Sequence, residues 1–395
     1  MYSEVLKNID EPTVILHIGG PKCGSSSLQT FLTANPLLET MQKTPVEYWK
    51  ILTLPDDQKV SIFIPVLNST NSRGIKYQVS DRLYPKLTSG CLHEIFGEFI
   101  LENSLNQNKV FVFSREGWAE DFQRLNLMSC KCKIKKFKII VFQYTRPQIE
   151  MLQSAYLQWT IWSENPTLEE SSRILKTISD WELQAKNVIK SGADQIVVRY
   201  IEDIVKDFCQ LLRINPLTIK NPILKRVNKS LPVEALTILL RHRELRLGEH
   251  SPFFDFLIED YIEEMQIKMT PVHLRFDKRL IDEIQQHFHK SNLDLMARME
   301  LEHSSKYRLA LIESEEKHFN GIEIDILKNG EKNSEFLESL TVGLLLDFKK
   351  FHQERDFAVQ ERDFAVAERE IIENSRVWRL FRFYRILRNG LTSLK

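Results

Sequence analysis

Residues 13–27 read TVILHIGGPKCGSSS, an apolar β-branched run that stops at a glycine pair and gives way to a row of serines. Thr13–Ile18 has the length of a strand and no polar face, the pattern of a strand covered on both sides. From Ser26 to Leu32 the apolar residues Leu28, Phe31 and Leu32 fall at helical spacing. Strand, glycine-rich turn and helix in that order present several backbone N–H groups and the positive helix end to one anion. Lys22 puts a cation in the turn, and Ser25, Ser26 and Ser27 put hydroxyl donors in the first helical turn. The arrangement suits a diphosphate-like group; without a ligand it is a plain strand-to-helix turn. It is not a Walker A loop, because the lysine precedes the second glycine instead of following it.

Outward from this stretch the same alternation continues. Val110–Phe113, Ile139–Tyr144 and Ile196–Val198 read as further buried strands. Helices are expected over Leu92–Leu101, from Pro147 toward Trp162, and through Asp203–Leu212. Strands alternating with helices predict an α/β fold, a parallel sheet with helices on both faces in three layers. We place this domain at residues 1–232. Residues 233–313 are expected to complete it with helices over Pro232–Leu247, closed by Gly248, and over Leu280–Leu301. Residues 314–340 read as a linker, Ser314–Leu337 being polar and poorly patterned.

Residues 341–395 form a helical extension of unusual composition. Two heptads starting at Glu354 and Glu361 suggest a coiled coil, yet their Phe-Ala-Val triplets are consecutive rather than split into two core positions. A long charged helix is the alternative. The last twenty residues carry Arg376, Arg379, Arg382, Arg385 and Arg388 among aromatics and no acid. Arginines three apart drift around a helix by about 60° per step, so no single polar face results. Peripheral contact with an anionic membrane, self-association, and docking on the protein body all stay open for this segment.

Composition bounds the partners and the compartment. Lysine plus arginine equals aspartate plus glutamate at 54 each, so total charge favours no nucleic-acid partner. Five scattered cysteines make no disulfide framework, and Cys130-x-Cys132 lacks a second pair at zinc spacing; no metal is expected. The first residues carry acids early and no apolar run reaches about 18 residues, so a cytoplasmic protein is expected.

A second motif sits one strand away. Arg146 follows the run Ile139–Tyr144, and Ser154 comes eight residues later, about two turns into the following helix. In open parallel sheets ligands bind beyond this edge, where a guanidinium and a hydroxyl can meet on one phosphate. The stretch from His17 to Gln29 resembles the 5′-phosphosulfate loop of sulfotransferases, with serines for that family's threonines. The Arg146–Ser154 pair is similar to its 3′-phosphate site, in the version of bacterial and carbohydrate-type members. The resemblance covers roughly residues 12–232. It implies a P-loop-like fold and a metal-free enzyme using 3′-phosphoadenosine 5′-phosphosulfate (PAPS). It assigns the donor to Gly20, Pro21, Lys22, Cys23, Gly24, Ser25, Ser26, Ser27, Arg146 and Ser154. Tyr200-Ile-Glu-Asp203 is similar to the family's Tyr-Glu-Asp strand end with one extra residue, and Arg226 lies where cationic cover is expected.

Such a reaction needs a base for the acceptor hydroxyl. Glu116, just past Val110–Phe113, and His17 are the two candidates; a salt bridge for one and a satisfied buried ring for the other are their structural alternatives. Trp118, Tyr156, Trp159 and Trp162 offer aromatic surface to a saccharide or glycolipid acceptor, and equally to a core. A non-catalytic phosphate-binding protein and a small-molecule kinase are the competing functions.

Overall fold

The computed structural model describes residues 12–20, 22–53, 61–65, 109–115, 137–163, 167–220, 231, 233–245 and 272–321. Two compact units divide the chain: residues 1–237 with 248–329, and residues 238–247 with 330–395. The first holds the sheet. Pro21, Cys91, Glu116, Trp118, Cys130, Cys132 and Arg226 lie outside the described residues, as do the helix expected over Leu92–Leu101 and residues 322–395 with the heptads and the arginine-rich tail.

Seven strands form the sheet: β1 (Thr13–His17), β2 (Leu37–Glu39), β3 (Pro45–Thr53), β4 (Ser61–Pro65), β5 (Val110–Ser114), β6 (Lys138–Thr145) and β7 (Gln195–Tyr200). Their order is β2-β3-β5-β1-β6-β7, with β4 paired to the end of β3. The run from β3 through β7 is parallel, with Ile15 beside Val112 and Ile140 at its centre. The strands read from the sequence are all here. The expected purely parallel sheet is corrected to a mixed one, because β2 and β4 both pair antiparallel to β3. They arise from a local meander that needs no helical crossover. Val14, Ile15, Leu16, Val112, Ile140 and Val141 are buried; each contributes about 1.5–3 kcal/mol relative to exposure.

Eight helices accompany the strands among the described residues: α1 (Ser25–Ala34), α2 (Gln148–Gln158), α3 (Leu168–Ile178), α4 (Trp181–Lys190), α5 (Ile204–Leu211), α6 (Val233–Arg241), α7 (Lys278–Arg298) and α8 (Leu301–Phe319). Helix α1 packs against α5, whereas α2, α3, α4, α7 and α8 pack among themselves, with α4 on β6 and β7. Side-chain oxygens of Thr167, Asp180, Asp203 and Asp277 accept from backbone N–H groups in the first turns of α3, α4, α5 and α7. Helix α2 ends at Gln158 and a 3₁₀ turn, Thr160–Trp162, follows, so the single helix expected up to Trp162 is two pieces.

Polar pairs pin the later helices to the sheet domain. Glu182 on α4 holds Arg298 on α7 through two bonds of 2.6 and 2.8 Å. Gln148 on α2 exchanges two amide bonds with Asn292 on α7, whose Oδ1 also accepts from Tyr307 on α8. The helix expected over Leu280–Leu301 breaks at Met299–Glu300, and α8 begins there. Residues 314–319, expected to open a linker, instead finish α8. Their buried face repeats through His303, Tyr307, Ala310, Ser314 and His318, so a half-polar stripe hid the helical period from a hydrophobicity reading. Among the described residues no helix is long and apolar enough to cross a membrane.

Candidate functional site

The turn from β1 to α1 leaves the sheet at the C-terminal ends of β5, β1 and β6, where His17 stands level with Ser114 and Phe142. Its backbone folds too tightly for ordinary residues. A Cβ on Gly20 would collide with the ring of Trp181, and Gly24 has φ +79°, where a side chain is strained. Lys22 adopts φ 65° with no such excuse, a left-handed conformation that costs of order 1–3 kcal/mol and recurs at ligand clamps. Helix α1 then opens with no side-chain cap and no acid in its first turn, so its N-terminal positive potential is uncompensated by its own sequence.

Two buried polar atoms converge beside Gly19. A Cβ placed there would collide with Ser25 Oγ and lie 2.9 Å from His17 Nε2. Neither atom has a hydrogen-bond partner in the structure, although both residues are buried. Buried groups left so cost roughly 1–3 kcal/mol each, a cost that a bound polar group removes. The far side of the His17 ring is held: Nδ1 lies 2.7 Å from Ser114 Oγ, which also accepts from Gln29 Nε2 at 3.2 Å. Burial pushes the His17 pKa down to about 3, so the ring is neutral near pH 7.

Arg146 joins the two motifs. Its Nη1 donates to the backbone carbonyl of Lys22 at 2.9 Å, across 124 residues of chain, and its Nη2 donates to Glu150 Oε2 at 3.0 Å. Trp181 braces the junction from below: its ring abuts Gly20, and its Nε1 donates to the Arg146 carbonyl at 3.0 Å. The Lys22 amine lies 5.5 Å from the ring centroid of Trp159, just past α2, a cation–π contact. Lysine, guanidinium, helix end and orphaned hydroxyl thus gather at one sheet edge, with Glu150 the carboxylate on Arg146.

The remaining expected residues distribute unevenly. Cys23 is buried, Ser26 is nearly so, Ser27 is half-buried in the first turn of α1, and Ser154 is half-buried in the second turn of α2. Tyr200 ends β7 and is half-buried; burial and the Glu150 carboxylate raise its pKa, with Arg146 acting the other way. Asp203 is the cap of α5 and not part of the loop. Tyr156 is fully buried core, and Trp162 donates its indole N–H to the Leu157 carbonyl. The sequence reading missed the roles of Gln29, Ser114, Glu150 and Trp181. Of these only Glu150, one turn after Arg146, had a visible spacing signal. Among the described residues no group of three or more His, Cys, Asp or Glu side chains is placed to hold a metal. Neither the models of known families, nor the curated proteins, nor the solved structures contain a match to this chain.

Proposed function

We propose that the chain is a sulfotransferase of P-loop-like fold that moves the sulfuryl group of PAPS to a hydroxyl of a saccharide-containing acceptor. The observation that carries the reading is the bond from Arg146 to the Lys22 carbonyl, which couples the phosphosulfate-like loop to the 3′-phosphate-like pair. Beside it Ser25 Oγ and His17 Nε2 lack the partners that a bound anion and its ester oxygens would supply. In this reading the loop N–H groups, Ser25, Ser26 and Ser27 hold the 5′-phosphosulfate, and Arg146 with Ser154 holds the 3′-phosphate.

Transfer is an in-line displacement. The acceptor oxygen forms a bond to sulfur as the bond from sulfur to the bridging phosphate oxygen breaks, releasing adenosine 3′,5′-bisphosphate. Lys22 stabilises the charge that gathers on the departing oxygen, and the acceptor proton passes to a base. A ring held neutral down to about pH 3 is a weak proton acceptor in the free protein. A neighbouring anion raises that value, so His17 stays the second choice and Glu116 the first. No step calls for a metal, and a cytoplasmic location accompanies the proposal.

Calorimetric titration of the full chain tests the donor. Adenosine 3′,5′-bisphosphate is expected to bind at least about tenfold tighter than ATP with magnesium, a gap of roughly 1.4 kcal/mol. Preference for ATP, or no binding of the bisphosphate, would falsify the proposal.

A further inference from the structure

Beside the candidate site a groove of about 410 Å³ opens between the C-terminal end of α2, the 3₁₀ turn after it, and α3. Its size is that of a small-ligand pocket. Ala155, Ile174, Leu175 and Ile178 give it apolar walls, and Trp159 and Thr160 add an aromatic surface and a hydroxyl. Ile174 is 43% exposed, an apolar side chain the fold itself leaves uncovered. The groove and the site share one residue, since Trp159 lines the groove and also carries the Lys22 amine over its ring.

Position decides what the groove holds. Arg146 precedes α2 and Ser154 lies in its second turn; the groove starts at the next residue, Ala155, and continues past the helix end. Lys22 stands between Arg146 and the groove, its carbonyl accepting from Arg146 and its amine lying over the Trp159 ring. A sulfuryl group held at Lys22 would have the nucleotide on one side and the groove on the other. In-line attack requires the acceptor oxygen opposite the leaving oxygen.

We infer that this groove binds the acceptor, and that the acceptor is an amphiphilic alcohol. A hydroxylated head such as a sugar ring sits at Trp159 and Lys22, and an aliphatic or aryl portion lies along Ala155, Ile174, Leu175 and Ile178. A free sugar offers those walls only the small C–H face of its ring, whereas a chain buried there gains about 25 cal/mol per Å². The inference rests on the sulfotransferase reading.

The test uses the full chain saturated with adenosine 3′,5′-bisphosphate, with submicellar octyl glucoside and free glucose as probes. Octyl glucoside is expected to bind at least about tenfold tighter than glucose. Ile174→Trp and Glu170→Trp, both at exposed positions lining the groove, should each weaken octyl glucoside about tenfold or more and leave bisphosphate affinity within about twofold. Circular dichroism establishes that each variant folds, and either one suffices. Equal binding of octyl glucoside and glucose, or equal binding to wild type and a folded variant, overturns the inference alone. So does a parallel loss of bisphosphate affinity, which would assign the groove to the nucleotide. Failure of the bisphosphate to bind wild type overturns the sulfotransferase reading itself.

Discussion

His17 and His303 are both buried, yet their surroundings differ in a way that sets the candidate site apart from a brace between helix and sheet. His303 on α8 lies 3.5 Å from Asp207, which accepts from the Tyr144 hydroxyl at 2.9 Å, and nearby Arg199 pairs with Glu300 at 2.9 Å. There Arg199 pairs with Glu300, and burial lowers the pKa of the His303 ring that faces Asp207. Around His17 the partners are neutral hydroxyl and amide groups, and Arg146 pairs with the Glu150 carboxylate one turn along α2. Tyr144 touches both regions, its ring 5.6 Å from that of His17. Ion pairs hold α8 on the sheet domain, whereas the loop keeps Ser25 Oγ and His17 Nε2 without a partner beside the uncapped start of α1, the groups that the proposed reading gives to an anion.

Lys22→Ala strikes the loop side of this contrast. If Lys22 stabilises the departing oxygen, sulfuryl transfer should fall about 10²–10³-fold, while the thermal midpoint changes little. A large loss of stability with proportionate loss of turnover would instead make Lys22 a structural residue. Asp207→Ala strikes the other side. It strands the buried Tyr144 hydroxyl and removes the carboxylate facing His303, so unfolding free energy should drop by about 2–3 kcal/mol. Bisphosphate affinity of the folded fraction should stay within about twofold. A strong effect on binding would erase the distinction between the two regions.

The loop and its sheet position were readable because they depend on local patterns: an apolar run, a glycine turn, and hydroxyls at a helix start. Arg146 was readable by its place at a strand end. What could not be read was the support beneath them. Trp181 and Ser114 reach the loop from elements far along the chain, and only the strand order β5-β1-β6 brings them there. Helices α3 and α4 were overlooked although Thr167 with Glu170, and Asp180, are cap signals. Their burial of Ser171, Ser172, Glu182 and Gln184 breaks the apolar period. The β2–β3–β4 meander was missed for a different reason. Its strands follow α1 in residues 37–65, a stretch whose mixed polar and apolar residues point to no element.

Protonation offers a quieter comparison of the two histidines. The folded chain holds His17 neutral down to about pH 3, whereas the unfolded chain takes up that proton near pH 6.5. The unfolded state therefore binds more protons across that window, and stability falls as pH falls. Against His17→Asn, wild type should lose about 1.6 kcal/mol more between pH 6.5 and 5, the slope rising from about half to nearly all of 1.4 kcal/mol per pH unit across that window. Denaturant midpoints at the two pH values measure it. Parallel losses would mean that the ring gains a proton in the fold and that the loop is more open than its geometry.

The smallest effect is the most specific. Glu150 occupies Arg146 Nη2 at 3.0 Å while Nη1 holds the Lys22 carbonyl, so an incoming phosphate meets a guanidinium already engaged by a carboxylate. Both side chains are partly exposed, which limits that ion pair to about 0–1 kcal/mol. Glu150→Gln keeps the shape and removes the charge, so Arg146 loses a competitor and the phosphate loses a repulsive neighbour. Affinity for adenosine 3′,5′-bisphosphate should rise about two- to fivefold, with a smaller gain in high salt because screening already weakens the carboxylate. If affinity falls instead, Glu150 acts by orienting Arg146 toward Lys22, and the junction of loop and α2 depends on that acid for its geometry.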